Sequence, residues 1–333
     1  MPTEFIYEYG MFIAKFGSVL LAILVVAAIV LLMVFRSRAA SDEHLEIKNI
    51  NQRYEHMKLM LESAILNKKE FKKNVKDLKA AHKKEAKQDS AETRSRRIFV
   101  LDFDGDIRAS EVTSLREEIS ALLTVANKDD EVLVRLESGG GTVHGYGLGA
   151  SQLRRIRERD IKLTVAVDKV AASGGYMMAC VANKIIAAPF AIIGSIGVLA
   201  QIPNFNRLLK KHNIDFEQIS AGEHKRTLTL FGENTEADRA KLKEELEETH
   251  LLFKQFVKDN REQVDIEQVA TGEHWFGTKA VQLGLVDEIV TSDDYLARQA
   301  DEANIYSIEY VRKKPVVEKL FSSTVKLFNA EKY

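Results

Sequence analysis

The chain has 333 residues, 45% hydrophobic and 29% charged, with 48 Lys+Arg against 49 Asp+Glu and a formal charge of −1. This balance gives no basic footprint for nucleic acid, and a lone cysteine, Cys180, excludes an intramolecular disulfide framework and a Cys-based zinc site. Four prolines and 18 glycines exclude a low-complexity chain, and the length suffices for one sizeable core.

Phe16 to Phe35 is an unbroken run without a charge (FGSVLLAILVVAAIVLLMVF). At ~1.5 Å per residue it reaches ~30 Å, the thickness of a bilayer's hydrocarbon core, so it predicts a membrane-crossing helix. A cleaved signal peptide is the alternative. That would have a shorter apolar run, a basic stretch before it and small residues after it. Here Glu4 and Glu8 precede the run, Lys15 is the one basic residue before it, and Arg36 and Arg38 follow. A retained anchor is therefore expected. With Arg36, Arg38, Lys48 and Arg53 on the far side, the positive-inside rule puts the C-terminal part in the cytoplasm.

Apolar residues then recur at Ile47, Ile50, Tyr54, Met57, Leu61, Ala64, Phe71, Val75 and Leu78, with Lys68 interrupting. Steps of three and four are the seam of a coiled coil, or of an amphipathic helix packed on its own domain. Lys68 to Arg97 holds twelve bases and five acids and reads as a solvated linker, with contact to anionic headgroups as the alternative. Without Gly or Pro from Ala39 to Arg97, the region is expected to be a helical stalk fraying into that linker.

From Ile98 the pattern is α/β. Phe99–Phe103 reads as a strand, then Ser110 as the cap of a helix whose apolar face carries Val112, Leu115, Ile119, Leu122 and Leu123. Val132–Leu136 is a second strand, running into Gly139-Gly140-Gly141. A helix through Leu148, Leu153 and Ile156 follows, then the strand Leu163–Val167. Such alternation predicts right-handed crossovers and a mainly parallel sheet. Val181 to Ala200, broken by Pro189, Gly194, Ser195 and Gly197, predicts a pair of buried strands. A long charged helix is expected from about Thr235 to Asn260, with Leu242, Leu246, Phe253 and Phe256 inward.

Three segments can carry chemistry. In Leu136–Gly147 (LESGGGTVHGYG), glycines let backbone N–H groups approach a ligand, although the spacing is neither a P-loop nor G-x-G-x-x-G and a plain tight turn also fits. In Asp168–Cys180 (DKVAASGGYMMAC), Ser173 is an N-cap or a hydroxyl exposed at a helix N-terminus, where developing negative charge is favoured. In Ser220–Leu230 (SAGEHKRTLTL) lies Lys225. A serine nucleophile needs a base: His144 and His224 are the histidine candidates, neither with an orienting carboxylate close in sequence. A lysine serves only when neutral, which requires burial to bring it down from ~10.4. A surface lysine is the alternative. No H-E-x-x-H or carboxylate–histidine cluster calls for a metal.

The motifs S-G-G-G-T-V (138–143), D-K-V-A-A-S-G-G-Y-M-M-A (168–179), G-S-I-G-V (194–198), G-E-H-K-R-T (222–227) and G-L-V-D (284–287), in this order and behind an N-terminal anchor, resemble the signal peptide peptidase A family, and within it the short, membrane-anchored bacterial members. The resemblance covers nearly the whole chain. It implies a ClpP/crotonase-like α/β domain behind a transmembrane helix and helical stalk, and a serine peptidase with a Ser/Lys dyad and neither metal nor cofactor. Carried over residue by residue, it makes Ser173 the nucleophile and Lys225 the general base. Ser195 would orient the lysine amine, and the N–H groups of Gly140 and Gly174 would form the oxyanion hole. His144 and Tyr146 would line the substrate pocket, with surface or packing roles as the alternative. Family members commonly have proline where this chain has Gly139, which loosens the placing of Gly140 against Gly141. Trp275–Ile289 resembles the family's closing element.

The implied organisation is a tail (1–15), a transmembrane helix (16–35), a stalk and basic linker (36–97), a peptidase domain (98–310) and a C-terminal extension (311–333). The implied setting is the bacterial inner membrane, as a ring-like homo-oligomer whose sites are shared between subunits, cutting membrane-proximal peptides such as remnant signal peptides. A crotonase-like acyl-CoA enzyme and a catalytically silent membrane scaffold are the competing functions. CoA dependence would mark the first; absence of both serine labelling and proteolysis would mark the second.

Overall fold

The computed structural model describes residues 2–38, 43–88, 96–222, 225 and 227–312. Two compact units divide the chain: residues 1–45 with 310–333, and residues 46–309. In the first, helix α1 (Pro2–Arg38) contains Gly10–Leu32, a stretch of mean hydropathy 2.7 that is long and apolar enough to cross a membrane.

The region after the anchor departs from the expected stalk. Strand β1 (His44–Asn49) is followed by α2 (Ile50–Ile65) and α3 (Lys68–Gln88), not by one continuous helix. The break lies at Asn67, whose side chain accepts from the N–H groups of Lys69 and Glu70 and so caps a new helix. Ile50 is buried in the core, and Asn51 hydrogen-bonds Ala300 O, Ala303 O and Ile305 N. The start of the three-four seam therefore docks on its own domain, which begins well before residue 98. The linker at 89–95 and the extension from 313 lie outside the described residues.

The remaining elements alternate as the pattern predicts: β2 (Arg97–Gly105), α4 (Val112–Leu122), β3 (Glu131–Ser138), α5 (Val143–Arg157), β4 (Lys162–Val167), β5 (Val170–Ala172), α6 (Gly174–Ala179), β6 (Lys184–Ala187) and β7 (Ile192–Gly194). After the short α7 (Asn206–Lys211) comes the long α8 (Glu236–Asn260), capped by Thr235, with Phe253 and Val257 buried and Leu242, Leu246 and Phe256 half-buried. The chain closes through α9 (Ile266–Val269), β8 (His274–Phe276), α10 (Gly277–Gln282), β9 (Glu288–Ile289), α11 (Ser292–Gln299) and β10 (Asn304–Val311). Ser110 does not cap α4. Its hydroxyl donates to the Asp106 carboxylate, and the cap position falls to Glu111, which makes no side-chain capping bond.

The main sheet has the order β1-β10-β2-β3-β4-β6-β9, and from β10 to β9 its pairings are parallel. Both faces are covered, so β3 buries Val132, Leu133 and Val134 in succession. β3 pairs with β4 as far as Arg135, and its last residue, Ser138, pairs with Ala171 of β5; β5 pairs with β7, and β8 runs antiparallel to β7. This splaying gathers the C-terminal ends of β3, β5 and β7 into one place.

At the other end of β3, the fully buried Glu131 accepts from Thr164 Oγ1 and Tyr295 Oη at 2.6 Å each and from Lys162 Nζ at 3.1 Å, and pairs with Arg96. Burial raises its pKa, but the bonds from Thr164, Tyr295 and Lys162 outweigh burial and hold it below the usual carboxylate range. A folded-state value below the unfolded one stabilises above the unfolded pKa and is lost as pH falls through the folded value. Melting of the intact protein should therefore fall on acidification, and Glu131→Gln should be less stable at neutral pH with a shallower acid slope. Parallel curves for the two proteins would contradict this.

Candidate active site

Each of the three splayed strands delivers one segment of the site. From β5 the chain turns sharply at Ser173, which has φ 52 and ψ −119, and enters α6 at Gly174. A non-glycine residue at positive φ is held there only by its surroundings, at a cost of ~1–3 kcal/mol. Ser173 N donates to Gly194 O at 2.8 Å, and Met177 N to Ser173 O at 2.9 Å. The side chain makes no capping bond and remains partly exposed. This strand–turn–helix geometry presents a hydroxyl at a helix start, as in a nucleophile elbow.

From β3 comes the glycine turn. Gly140 has φ +90, and a Cβ on it would lie 2.8 Å from Ser173 Cβ and 2.7 Å from Gly174 N. Glycine is required there by backbone conformation and by close approach. Gly139, in contrast, has nothing within 4 Å of a built Cβ, so the residue that stands where the family commonly has proline is not confined. The Gly140 N–H donates to Ser138 Oγ at 3.1 Å. The Gly174 N–H, at the start of α6, follows Ser173 directly. Spacing alone does not reveal which way a peptide plane faces.

From β7 comes Ser195, at φ 51, with its N–H on Glu273 O at 2.7 Å. The β5–β7 register pairs Ala172 with Gly194, which makes Ser173 and Ser195 neighbouring positions.

Lys225 is exposed on the long segment between α7 and α8. His224 lies outside the described residues, and His144 is exposed in the first turn of α5. Tyr146 is not a pocket residue: it is fully buried, its ring under Gly174, where a Cβ would meet Tyr146 Cγ at 2.4 Å. It stands three residues after Val143 opens α5, one turn along the helix and on the face that packs inward with Ala150 and Leu153. Cys180 ends α6 fully buried, and burial pushes its thiol up to about 12, so it offers no thiolate. Trp275–Ile289 supplies β8, α10 and β9, and Trp275 covers Gly194.

Comparison with known proteins places the chain in a family. Residues 4–153 match the model of the peptidase family S49 N-terminal region, and residues 155–306 match peptidase family S49. A probable protease SohB of Haemophilus influenzae is 50% identical over 96% of this chain and 93% of its own length. A probable protease SohB of Buchnera aphidicola subsp. Acyrthosiphon pisum is 61% identical over 68% of each chain. A solved mutant of 1510-N, a membrane-bound stomatin-specific protease, aligns with a TM-score of 0.40 at 13% identity, over 62% of this chain and 86% of its own. On the full-length relationship to the first of these and the two family matches, the chain belongs to peptidase family S49 and is a serine peptidase.

Proposed function

We propose that the protein is a membrane-anchored endopeptidase in which Ser173 and Lys225 form a Ser/Lys dyad. The observation that carries this reading is the positive-φ Ser173 at the head of α6, with the Gly140 backbone against its Cβ. Neutral Lys225 takes the Ser173 proton, Oγ attacks a peptide carbonyl, and the N–H groups of Gly174 and Gly140 stabilise the oxyanion. The amine leaves with a proton from the lysine, and water activated by the same lysine releases the acyl group. Ser195, beside Ser173 in register, orients the amine, and exposed His144 lies at the substrate side.

A solvated lysine is a poor base, and Lys225 is exposed in the single subunit. The segment around it also exposes Leu199, Ile202, Ile214, Ile219, Leu230 and Phe231. An apolar surface of this kind favours burial against another molecule. This supports a ring-like homo-oligomer in which Lys225 of one subunit serves Ser173 of the next.

The apolar stretch of α1 supports a single-pass anchor in the bacterial inner membrane, and Arg36 and Arg38 support a cytoplasmic catalytic domain. Substrates are then membrane-proximal peptides, among them remnant signal peptides.

Two experiments test the reading. A fluorophosphonate should label the detergent-solubilised protein at Ser173; no adduct there would remove the nucleophile. Mixing inactive Ser173→Ala with inactive Lys225→Ala under subunit exchange should restore partial activity, because some interfaces pair an intact serine with an intact lysine. Fully exchanged mixtures that stay inactive would reject shared sites.

A further inference from the structure

The fold uses only part of the three-four seam that the sequence carries after the anchor. Ile50 is buried in the core and Tyr54 packs against it, but the apolar row that continues along α2 is left uncovered. Met57, Leu61 and Ile65, four residues apart, share one side of the helix, and Leu61 and Ile65 are 64% and 77% exposed. Met60 is exposed beside them. Tyr54, Met57, Lys58, Leu61 and Ile65, with Asn74 of α3, help to line a groove of about 490 Å³.

Helix α3 supplies the charge. Between Lys68 and Leu78 the helical period, ~100° per residue, sorts its side chains into three rows. Glu70, Asn74 and Asp77 share the side turned to α2, where Asn74 Nδ2 donates to Glu62 Oε2 at 3.5 Å. Phe71, Val75 and Leu78 form a half-buried row next to it. Lys68, Lys69, Lys72, Lys73 and Lys76 occupy the side beyond that row, and all five are exposed. The turn that joins the two helices sets Ile65, the end of the apolar row of α2, close in sequence to Lys68 and Lys69.

An exposed apolar row beside a lysine row suits an interface that is apolar on one side and anionic on the other. A second copy of this chain would bring five more lysines to a surface that already has five, and like charges repel. An anionic phospholipid surface supplies both complements: acyl chains for Met57, Leu61 and Ile65, and phosphates for lysines whose stems lie along apolar surface. An anchor that keeps the protein at a bilayer raises the effective concentration of that surface, so a weak contact suffices. We propose that the α2–α3 pair is a second membrane contact: Met57, Leu61 and Ile65 enter the interface of an anionic bilayer, and the five lysines bind its headgroups. The inference rests on α1 as the bilayer anchor and is independent of the dyad.

The test reconstitutes the full-length protein in vesicles of phosphatidylcholine, alone or mixed with phosphatidylglycerol, that carry doxyl-labelled lipid as a fluorescence quencher. Ile65→Cys carries a polarity-sensitive fluorophore, and the native Cys180 is fully buried, so it does not compete for the label. Leu24→Cys, inside the apolar stretch of α1, carries the same probe and reports the anchor. The Leu24 probe should be quenched in both lipids. The Ile65 probe should shift to the blue and be quenched with phosphatidylglycerol only. It should return to its aqueous spectrum at about 1 M salt, where the Debye length is ~3 Å. Combining Lys68→Gln, Lys72→Gln and Lys76→Gln should lower the ratio of quenched to free probe about fivefold for each lysine removed.

An Ile65 probe that stays aqueous with phosphatidylglycerol would overturn the proposal. Quenching that is equal in the two lipids, or unchanged by the triple substitution, would overturn it as well. A blue shift without lipid quenching, lost when the protein is diluted among more vesicles, would assign the face to a second copy instead. If Ile65→Cys fails to fold, Leu61→Cys carries the probe and decides on the same readouts. With Leu24 quenched, failure at Ile65 falls on the α2–α3 pair alone. A Leu24 probe without quenching would remove the anchor, and the proposal with it.

Discussion

Ser173→Ala is expected to lower peptide hydrolysis by at least ~10³-fold, the scale of loss when a nucleophile or its base is removed from a serine hydrolase. The fold should survive. Ser173 Oγ makes no capping bond, and the elbow is held by backbone bonds, from Ser173 N to Gly194 O and from Met177 N to Ser173 O, that alanine retains. Alanine shares with serine the cost of positive φ, so thermal melting should be little changed while turnover disappears. Lys225→Ala should lose activity to a similar degree, with Ser173 still in place but without its base. Undiminished turnover in Ser173→Ala would rule out the assignment, and undiminished turnover in Lys225→Ala would leave the nucleophile in need of another base.

Gly140→Ala is expected to produce the second large loss, at least ~10²-fold in turnover, because displacement of catalytic groups by about 1 Å costs that much. At φ +90 an alanine is strained before it meets any neighbour. Its Cβ would then lie 2.7 Å from Gly174 N, 2.8 Å from Ala172 O and 2.8 Å from Ser173 Cβ. Two of those atoms are backbone, so relief requires the elbow or the turn to move apart. Gly139→Ala provides the control one residue away, where the built Cβ meets nothing within 4 Å, and it should retain activity. Equal activity of the two variants would show that the glycine turn does not shape the site.

The fold was legible where pattern and local physics coincide. Continuous apolar runs such as Val132–Val134 predict strands covered on both faces, and these strands form the parallel sheet. The charged, periodic run from about Thr235 to Asn260 predicts α8, and the uncharged stretch of Phe16–Phe35 predicts a helix of membrane length. Residues 50–78 were less legible. A three-four seam has the same form whether a helix packs on another chain or on its own domain, and the contacts of Ile50 and Asn51 with the strand and turn at 300–305 lie about 250 positions away.

The sequence by itself determined which residues are chemically competent: a serine followed by two glycines at a strand–helix junction, a glycine triplet after a strand, and a lysine in a polar loop. Only the tertiary structure decided their arrangement. The pairing of Ser138, at the end of β3, with Ala171 of β5 brings the glycine turn against Ser173, and the β5–β7 register sets Ser195 beside it. The structure also moved Tyr146 from the expected pocket to a fully buried place under Gly174, and turned the Gly140 N–H toward Ser138. The reason is that strand register and peptide orientation are set by hydrogen bonds between segments more than thirty residues apart, such as Ser138 with Ala171 or Tyr146 with Asp106, and no local spacing encodes such partners.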